Sequence, residues 1–246
     1  MESTFSSDLH RLLEEAYHTF NATSMLGANM PDPIIVARRY KDEKIALVCA
    51  LFGYGNAKQI LKFLESIDFG LLQKPKRVKN LYYRFQKSED VYQLFFTLSR
   101  IDSLQEAFMR GYKESGDILQ GVRTIQEELY ALSSYRSYGY NFLLGKPLGK
   151  DPHKLGTYKR WLMFLRWMVR DDGIDLGLWR GVKKSDLILP LDTHTFRTTQ
   201  KLGLLKRKSY DMQAALEVTH NLRRYDADDP VKYDIALYRL GQLKLI

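Results

Sequence analysis

The sequence predicts an all-α protein, and three observations lead to that prediction. Apolar residues recur with a helical period of about 3.6 residues along most of the chain. The seven prolines and 16 glycines are few for 246 residues, and they fall mainly between the periodic segments. No two alternating segments flank a tight turn, so no β-hairpin is predicted. The hydrophobic share of 45% and the charged share of 27% are those of a globular protein and not of a disordered chain.

Four helices are predicted in the N-terminal part of the chain. Residues 7–20 carry one apolar stripe behind a capping residue, which favours an amphipathic helix over a signal peptide. Residues 32–40 have a proline near their start, a common first position of a helix. Residues 44–52 are apolar on nearly every side, which predicts a central buried helix. The loop signal of residues 53–56 then precedes a helix that ends at Ile67.

The remaining elements follow from the same pattern. Residues 76–135 predict three or four amphipathic helices rich in aromatic residues, and residues 133–156 form a glycine-rich basic connector. Residues 157–170 predict a largely buried helix, and the loop that follows is expected to contain a short helix around Trp179. Three more helices are expected at the C-terminal end, over residues 193–202, 211–225 and 230–243.

We expect two packed helical lobes, because no linker-like composition separates independent halves of the chain. Residues 1–40 and 136–246 are predicted to form one lobe, and residues 41–135 the other. No apolar stretch approaches the roughly 18 residues that a membrane span needs. Cys49 is the single cysteine, which excludes an internal disulfide, a four-cysteine zinc site and a cysteine-ligated iron–sulfur cluster. We therefore expect no metal and no cofactor.

The chain carries an excess of positive charge. Its 38 lysine and arginine residues outnumber 29 aspartate and glutamate residues, which gives a formal net charge of +9. Such an excess favours a polyanionic partner such as a nucleic acid. A solvated basic surface without a partner is the alternative, so the charge raises the expectation of nucleic-acid binding only modestly.

The most informative motif is Leu-Ile-Leu-Pro-Leu-Asp-Thr-His-Thr-Phe-Arg-Thr-Thr-Gln-Lys-Leu-Gly, over residues 187–203. Taken alone, Asp192 is a helix N-cap and His194 a packed or capping histidine. The motif nevertheless resembles the Asp-Thr-His segment of the helix-hairpin-helix–Gly/Pro–Asp superfamily of DNA base-excision glycosylases. The resemblance extends over residues 44–68 and 150–243. It implies a two-lobed helical fold with the active cleft between the lobes, and an essential aspartate at position 192.

The resemblance also implies a nucleophilic lysine at the start of an earlier helix. Lys159 occupies that place, 33 residues before Asp192. This long interval is similar to that of the archaeal-type 8-oxoguanine DNA glycosylases, which lack an iron–sulfur cluster. The usual Leu-Pro-Gly-Val-Gly hairpin is replaced here by Lys-Leu-Gly-Thr-Tyr, which leaves Lys154 as the second candidate. A lysine amine can attack the sugar C1′ and form a Schiff base, while a fixed carboxylate stabilises the positive sugar. A solvated lysine is the alternative for position 159.

DNA contacts are expected at several places. The loop around Tyr54 and Asn56 is the candidate wedge that fills the gap left by an extracted base, although an ordinary turn fits equally well. Phosphate and other DNA contacts are assigned to residues of the basic connector and of the Asp-Thr-His segment: Lys154, Gly156, His194 and Arg197. Surface solvation is the alternative for each single cation.

The last predicted helix carries Asp234 and Tyr238, which are four residues apart and therefore share a face. In glycosylases that recognise 8-oxoguanine, the terminal helix presents a polar group and an aromatic ring at about this interval. A carboxylate suits the N–H edge of a purine, and a ring suits its face. The alternative is a surface aspartate and a core tyrosine.

The resemblance implies a base-excision repair glycosylase with AP-lyase activity on 8-oxoguanine, and we expect it to act as a monomer on double-stranded DNA that contains a damaged base. The expected location is the cytoplasm, associated with the nucleoid of a prokaryote, without membrane attachment. Two alternatives stay open. One is a monofunctional glycosylase for alkylated or mismatched bases, and the other is a non-catalytic helical module that binds nucleic acid.

Overall fold

The computed structural model describes residues 6–27, 30–149, 151 and 155–246. Over these residues it contains twelve α-helices and no strand, only two isolated bridges, which confirms the all-α prediction. The helices are α1 (Ser7–Phe20), α2 (Ile34–Tyr40), α3 (Glu43–Leu51), α4 (Ala57–Glu65), α5 (Ser88–Arg100), α6 (Leu104–Ser115), α7 (Ile118–Leu132), α8 (Tyr138–Leu144), α9 (Lys159–Val169), α10 (Thr193–Lys201), α11 (Met212–Leu222) and α12 (Asp234–Gln242).

The chain divides into two compact units. One unit consists of Met1–Met30 together with Lys150–Ile246, and the other, the middle unit, is Pro31–Gly149. The sequence predicts other boundaries, with residues 31–40 and 136–149 joined to the chain ends. They belong to the middle unit because α2 packs on α3 and α8 packs on α5.

The core of the middle unit is built around α3. Every residue from Ile45 to Phe52 is buried, as the apolar run predicts. The helix begins where the Asp42 carboxylate accepts hydrogen bonds from the backbone N–H groups of Lys44 (2.8 Å) and Ile45 (2.9 Å). The α4 helix begins in the same way at Asn56, whose side-chain oxygen accepts from the N–H of Lys58 at 3.0 Å.

Three local predictions differ from the structure. Residues 76–87 contain no helix, because Asn80 and Arg84 adopt positive φ angles of 62° and 55° that interrupt helical geometry. The connector contains α8, which begins at the N-cap Ser137 and ends at Gly145 with φ 72°. The segment around Trp179 contains no helix, and the short helix of this loop is the 3-10 turn Lys184–Asp186.

The unit formed by the two chain ends brings α9, α10 and α12 together. The α12 helix packs on both α1 and α10, and the α9 helix is buried from Trp161 to Val169. Gly241 permits the close approach of α12 to α10, because a Cβ there would lie 2.2 Å from Thr198 Oγ1 and 3.3 Å from the His194 carbonyl oxygen. Among the described residues, no helix is both long and apolar enough to cross a membrane.

Candidate active site

Lys159 is the first residue of α9. The preceding Tyr158 adopts the left-handed conformation, with φ 45°, and starts the helix without a side-chain cap. The Lys159 side chain is half-buried, and its Nζ lies 3.2 Å from the sulfur of Met163, one turn further along. The amine is therefore held along the α9 surface, at the helix end where unpaired N–H groups concentrate positive potential.

Asp192 caps the N-terminus of α10, as the sequence predicts for this residue taken alone. Its Oδ1 accepts a hydrogen bond from the N–H of Thr195 at 2.8 Å. The preceding segment is anchored on both sides: the Leu189 N–H contacts Thr219 Oγ1 at 2.9 Å, and the Leu191 carbonyl accepts from the Tyr210 hydroxyl at 2.8 Å. The half-buried carboxylate therefore has a fixed position.

Asp234 begins α12 and is buried. It is not a surface aspartate, because its Oδ2 accepts a hydrogen bond from the Arg166 guanidinium of α9. Arg166 is itself buried and extends its other N–H groups to Asp175, with Nη2 at 3.0 Å and Nε at 3.2 Å from Oδ1. A buried guanidinium requires such partners, since an unpaired charge in the interior is costly.

Electrostatics link three of the residues singled out by the sequence. Burial raises the pKa of the Asp234 carboxyl above its ordinary value, while Arg166 opposes that shift. The Asp192 carboxylate adds to the increase in the pKa of Asp234, and Lys159 counteracts it. Asp192 and Lys159 therefore lie near enough to Asp234 to influence its ionisation, so α9, α10 and α12 bring one amine and two carboxyl groups into one cluster.

Aromatic side chains adjoin this cluster. The half-buried Tyr238 ring meets the exposed His194 ring edge-on, with centroids 5.7 Å apart at 87°. Tyr210 packs edge-on against Phe196 at 5.4 Å. Burial raises the pKa of the Tyr210 hydroxyl, a hydrogen bond with Thr157 opposes the shift, and the Asp192 carboxylate adds to it. Tyr210 thus belongs to the surroundings of Asp192.

Arg166, Tyr210 and Arg170 are the residues of this region that sequence reasoning missed. Arg170 Nη1 contacts Asp172 at 2.8 Å, and its Nε contacts Asp229 at 2.9 Å. Burial works against the Arg170 charge, but Asp175, Asp172 and Asp229 hold its pKa above the ordinary value. One signal was present in the sequence: arginines inside the apolar helix 157–170 need acidic partners, although the pattern does not identify them.

The other predicted DNA contacts lie in different places. Arg197 is exposed on α10, and Gly156 is exposed beside Leu155, whose carbonyl accepts from the Met212 N–H at 3.1 Å. Lys154 lies outside the described residues. Tyr54 and Asn56 belong to the middle unit, where Asn56 is exposed and caps α4.

Tyr54 is held more firmly than a free wedge residue. Its hydroxyl donates to Gln86, its carbonyl accepts from the Tyr83 hydroxyl at 2.8 Å, and its ring packs edge-on against Phe142 at 4.8 Å. Gly55 has φ 98°, and a Cβ there would lie 2.5 Å from the Arg84 guanidinium, so this position requires glycine. The wedge role of the loop stays a prediction.

Cys49 belongs to the middle unit and is not one of the site residues described above. It is fully buried in α3, and burial raises the pKa of its thiol. Within the described part of the chain, no group of three or more histidine, cysteine, aspartate or glutamate side chains is arranged to hold a metal ion.

Comparison with known proteins places the chain in a family. A family model described as "Protein of unknown function (DUF2400)" matches residues 32–243, and the protein therefore belongs to this family. The match includes Lys159, Asp192 and Asp234. No curated protein and no solved structure matches the chain.

Proposed function

We propose that the protein is a base-excision DNA glycosylase with AP-lyase activity that removes oxidised purine, with 8-oxoguanine as the substrate base. The observation that carries this proposal is the cluster of Lys159, Asp192 and Asp234. An amine at a helix start and a fixed carboxylate both act on the ionisation of a buried carboxyl group within one unit. The Asp-Thr-His resemblance and the net positive charge of +9 support the same class of substrate.

In the proposed reaction, the Lys159 amine is the nucleophile. Its nitrogen lone pair forms a bond to the sugar C1′ as the bond between C1′ and the base nitrogen breaks, and the departing base takes up a proton. The C1′–O4′ bond of the sugar then breaks, O4′ takes up a proton, and the nitrogen lone pair forms the C=N bond of a protonated Schiff base. Loss of a proton from C2′ then expels the 3′ phosphate by β-elimination. The fixed position of Asp192 suits a carboxylate that stabilises the positive charge of the sugar and transfers protons.

Asp234 and Tyr238 are the proposed base-recognition residues. Arg166 binds Oδ2 of Asp234 and so sets the orientation of the carboxyl group, whose Oδ1 is assigned to the N–H edge of the purine. The Tyr238 ring is assigned to stacking on the base face. A flipped-out base is required because the glycosidic bond is inaccessible inside a duplex.

The proposal is tested by borohydride trapping on duplex DNA that contains one 8-oxoguanine. Borohydride reduces the Schiff base to a stable amine, so the wild-type protein should give a covalent adduct with the lesion strand. Lys159→Gln should abolish the adduct while the protein still binds the lesion duplex. Lys206→Gln is the matched control, because Lys206 is an exposed lysine of the same unit, and it should trap like the wild type.

The other outcomes separate the alternatives. Base release without an adduct would indicate a monofunctional glycosylase, and binding without either product would indicate a non-catalytic module. An adduct that persists in Lys159→Gln but disappears in Lys154→Gln would transfer the nucleophilic role to Lys154.

A further inference from the structure

The segment of residues 74–87 in the middle unit combines positive charge with exposed aromatic rings. It contains six lysine and arginine residues and no aspartate or glutamate. All six cationic side chains are exposed: Lys74, Lys76, Arg77, Lys79, Arg84 and Lys87. Arg77 is paired with Glu89 at 2.8 Å and lies over the Tyr92 ring at 4.4 Å. The segment therefore presents a cationic surface that suits an anionic chain.

Two exposed aromatic rings, Phe85 of this segment and Tyr138 of α8, adjoin each other. Phe85 is 39% exposed and Tyr138 of α8 is 75% exposed, yet their ring centroids are only 5.2 Å apart. Phe85 also packs edge-on against Phe142, with the ring centroids 4.8 Å apart. Neighbouring rings left in water form an apolar patch, and covering such a patch is favourable because it removes apolar surface from water.

Buried hydrogen bonds hold the two rings in place. Residues 83–86 form a tight turn in which the Gln86 N–H contacts the Tyr83 carbonyl at 2.9 Å, with Arg84 at φ 55°. The buried Gln86 side chain accepts from the Tyr54 hydroxyl and donates to the Gly139 carbonyl at 3.4 Å. Because Gly139 follows Tyr138, this side chain connects the Phe85 turn to the start of α8.

Asp90 anchors the segment that precedes Tyr138 in the chain. This buried carboxylate accepts from the Lys87 N–H at 2.7 Å, from the Tyr135 hydroxyl at 2.8 Å and from the Ser137 hydroxyl. A Cβ at Gly139 would lie 2.3 Å from Asp90 Oδ2, so glycine allows this close approach. A network of hydrogen bonds thus holds the backbone on which Phe85 and Tyr138 are exposed.

We propose that Phe85, Tyr138 and the cations of residues 74–87 bind single-stranded DNA, with unpaired bases stacked on the two rings and phosphates held by the lysines and arginines. The choice of DNA over RNA rests on the proposed glycosylase function. Stacking on aromatic rings beside a cationic groove is the general mode by which proteins bind single strands without sequence preference.

The combination of groups favours this occupant. A duplex keeps its base faces stacked, so an intact double helix offers phosphates to the cations but no face to the rings. An acidic protein segment would satisfy the charges and leave the paired rings without planar partners. Single-stranded DNA uses both features at once.

The test measures fluorescence anisotropy of a labelled 12-nucleotide oligothymidylate with the full chain. The wild type should bind it, and Phe85→Leu/Tyr138→Leu should weaken binding by about tenfold or more, since each stacked base contributes substantially to affinity. An oligomer of abasic sites with the same length should bind more weakly to the wild type, and the double substitution should leave that binding unchanged. Tyr40→Leu is the control, because Tyr40 is an exposed aromatic of the same unit that packs on Phe69.

Three results would overturn the proposal. In the first, the double variant binds oligothymidylate as tightly as the wild type does. In the second, the wild type binds the abasic oligomer as tightly as oligothymidylate. In the third, the wild type binds oligouridylate more tightly than oligothymidylate. The thermal unfolding midpoint should remain near that of the wild type, because Tyr138 is mostly exposed and leucine at position 85 keeps an apolar contact with Phe142. Borohydride trapping at Lys159 is measured on the same preparations. In the wild type, trapping without oligothymidylate binding refutes this surface alone, and oligothymidylate binding without trapping refutes the proposed glycosylase alone.

Discussion

Arg166 and Asp234 form an ion pair between α9 and α12 in which both side chains are nearly inaccessible to water, at 6% and 10% exposure. The pair joins the helix that begins with the proposed nucleophile to the helix that carries the proposed base-recognition residues. Its guanidinium also binds Asp175. The position of Asp234 therefore depends on α9 as well as on its own helix.

We expect Arg166→Met to lower the free energy of unfolding by about 3–5 kcal/mol, because it leaves a buried carboxylate without its cation. Urea unfolding followed by circular dichroism measures the change. Arg110→Met is the control: Arg110 pairs with Glu128 at the surface, where the side chains are 55% and 33% exposed. Its loss should cost less than about 1 kcal/mol. Equal losses in the two variants would contradict the structural importance of the buried pair.

Asp192→Asn should separate the structural role of this residue from its chemical one. Asparagine caps helices about as well as aspartate, so the hydrogen bond from the Thr195 N–H can persist and stability should change by only a few tenths of a kcal/mol. The carboxylate charge is lost. Single-turnover excision of 8-oxoguanine should therefore slow by roughly 10²–10³-fold.

The control for that experiment is Asp117→Asn, since Asp117 caps α7 in the middle unit by accepting from the Leu119 N–H at 2.8 Å. It should leave excision unchanged. Full activity in Asp192→Asn would reduce Asp192 to a helix cap and would remove the main support for the glycosylase proposal.

Gly241→Ala should force α12 away from α10. The new Cβ would lie 2.2 Å from Thr198 Oγ1 and 3.3 Å from the His194 carbonyl. Overpacking of this kind costs about 1–3 kcal/mol, whereas alanine in place of glycine gains up to about 1 kcal/mol in a helix. We expect a net loss in thermal stability and slower excision, because α12 carries Asp234 and Tyr238.

Thr198→Ala removes the clashing hydroxyl, so the double variant should be more stable than Gly241→Ala and should regain part of its activity. A double variant that is no better than Gly241→Ala would show that the close approach to Thr198 does not determine the distance between these helices.

Glu14 predicts a pH dependence of stability. Burial would raise its pKa, but a hydrogen bond from the Tyr233 hydroxyl and the Lys232 ammonium, 3.0 Å away, hold the pKa below the ordinary value of 4.5. A depressed carboxyl pKa stabilises the folded state above the unfolded pKa, and this contribution is lost as pH falls through the folded value. Glu14→Gln should therefore be less stable than the wild type by about 1 kcal/mol at pH 7.

That difference should shrink as the pH falls below about 4.5, and it should vanish below the lowered pKa of Glu14 in the folded state, where both proteins carry a neutral group at position 14. Urea unfolding at a series of pH values between 3 and 7 provides the measurement. A difference that stays constant over the whole range would attribute the loss to packing and not to charge.

Local features of the site could be predicted from the sequence, and features that depend on distant contacts could not. The cap at Asp192 and the helix start at Lys159 follow from neighbouring residues. The pairing of Arg166 with Asp234 joins residues 68 positions apart, and no local pattern identifies that partner. The same reason explains why residues 76–87 were wrongly predicted as helical: the Gln86 contacts with Tyr54 and Gly139 stabilise a turn that amphipathic periodicity does not reveal.

If the proposed function is correct, binding of an 8-oxoguanine duplex should depend strongly on salt, because a protein with a net charge of +9 would bind the duplex largely through its phosphates. The logarithm of the association constant should fall with the logarithm of salt concentration by about 0.9 for each neutralised phosphate. Arg197→Gln should make that slope shallower by about 0.9, the contribution of one phosphate contact. Lys113 is an exposed lysine of the middle unit, and Lys113→Gln should leave the slope unchanged. Anisotropy titrations between 50 and about 200 mM salt measure the slopes. An unchanged slope in Arg197→Gln would exclude Arg197 from the phosphate contacts, and a flat dependence in the wild type would argue against a duplex as the substrate.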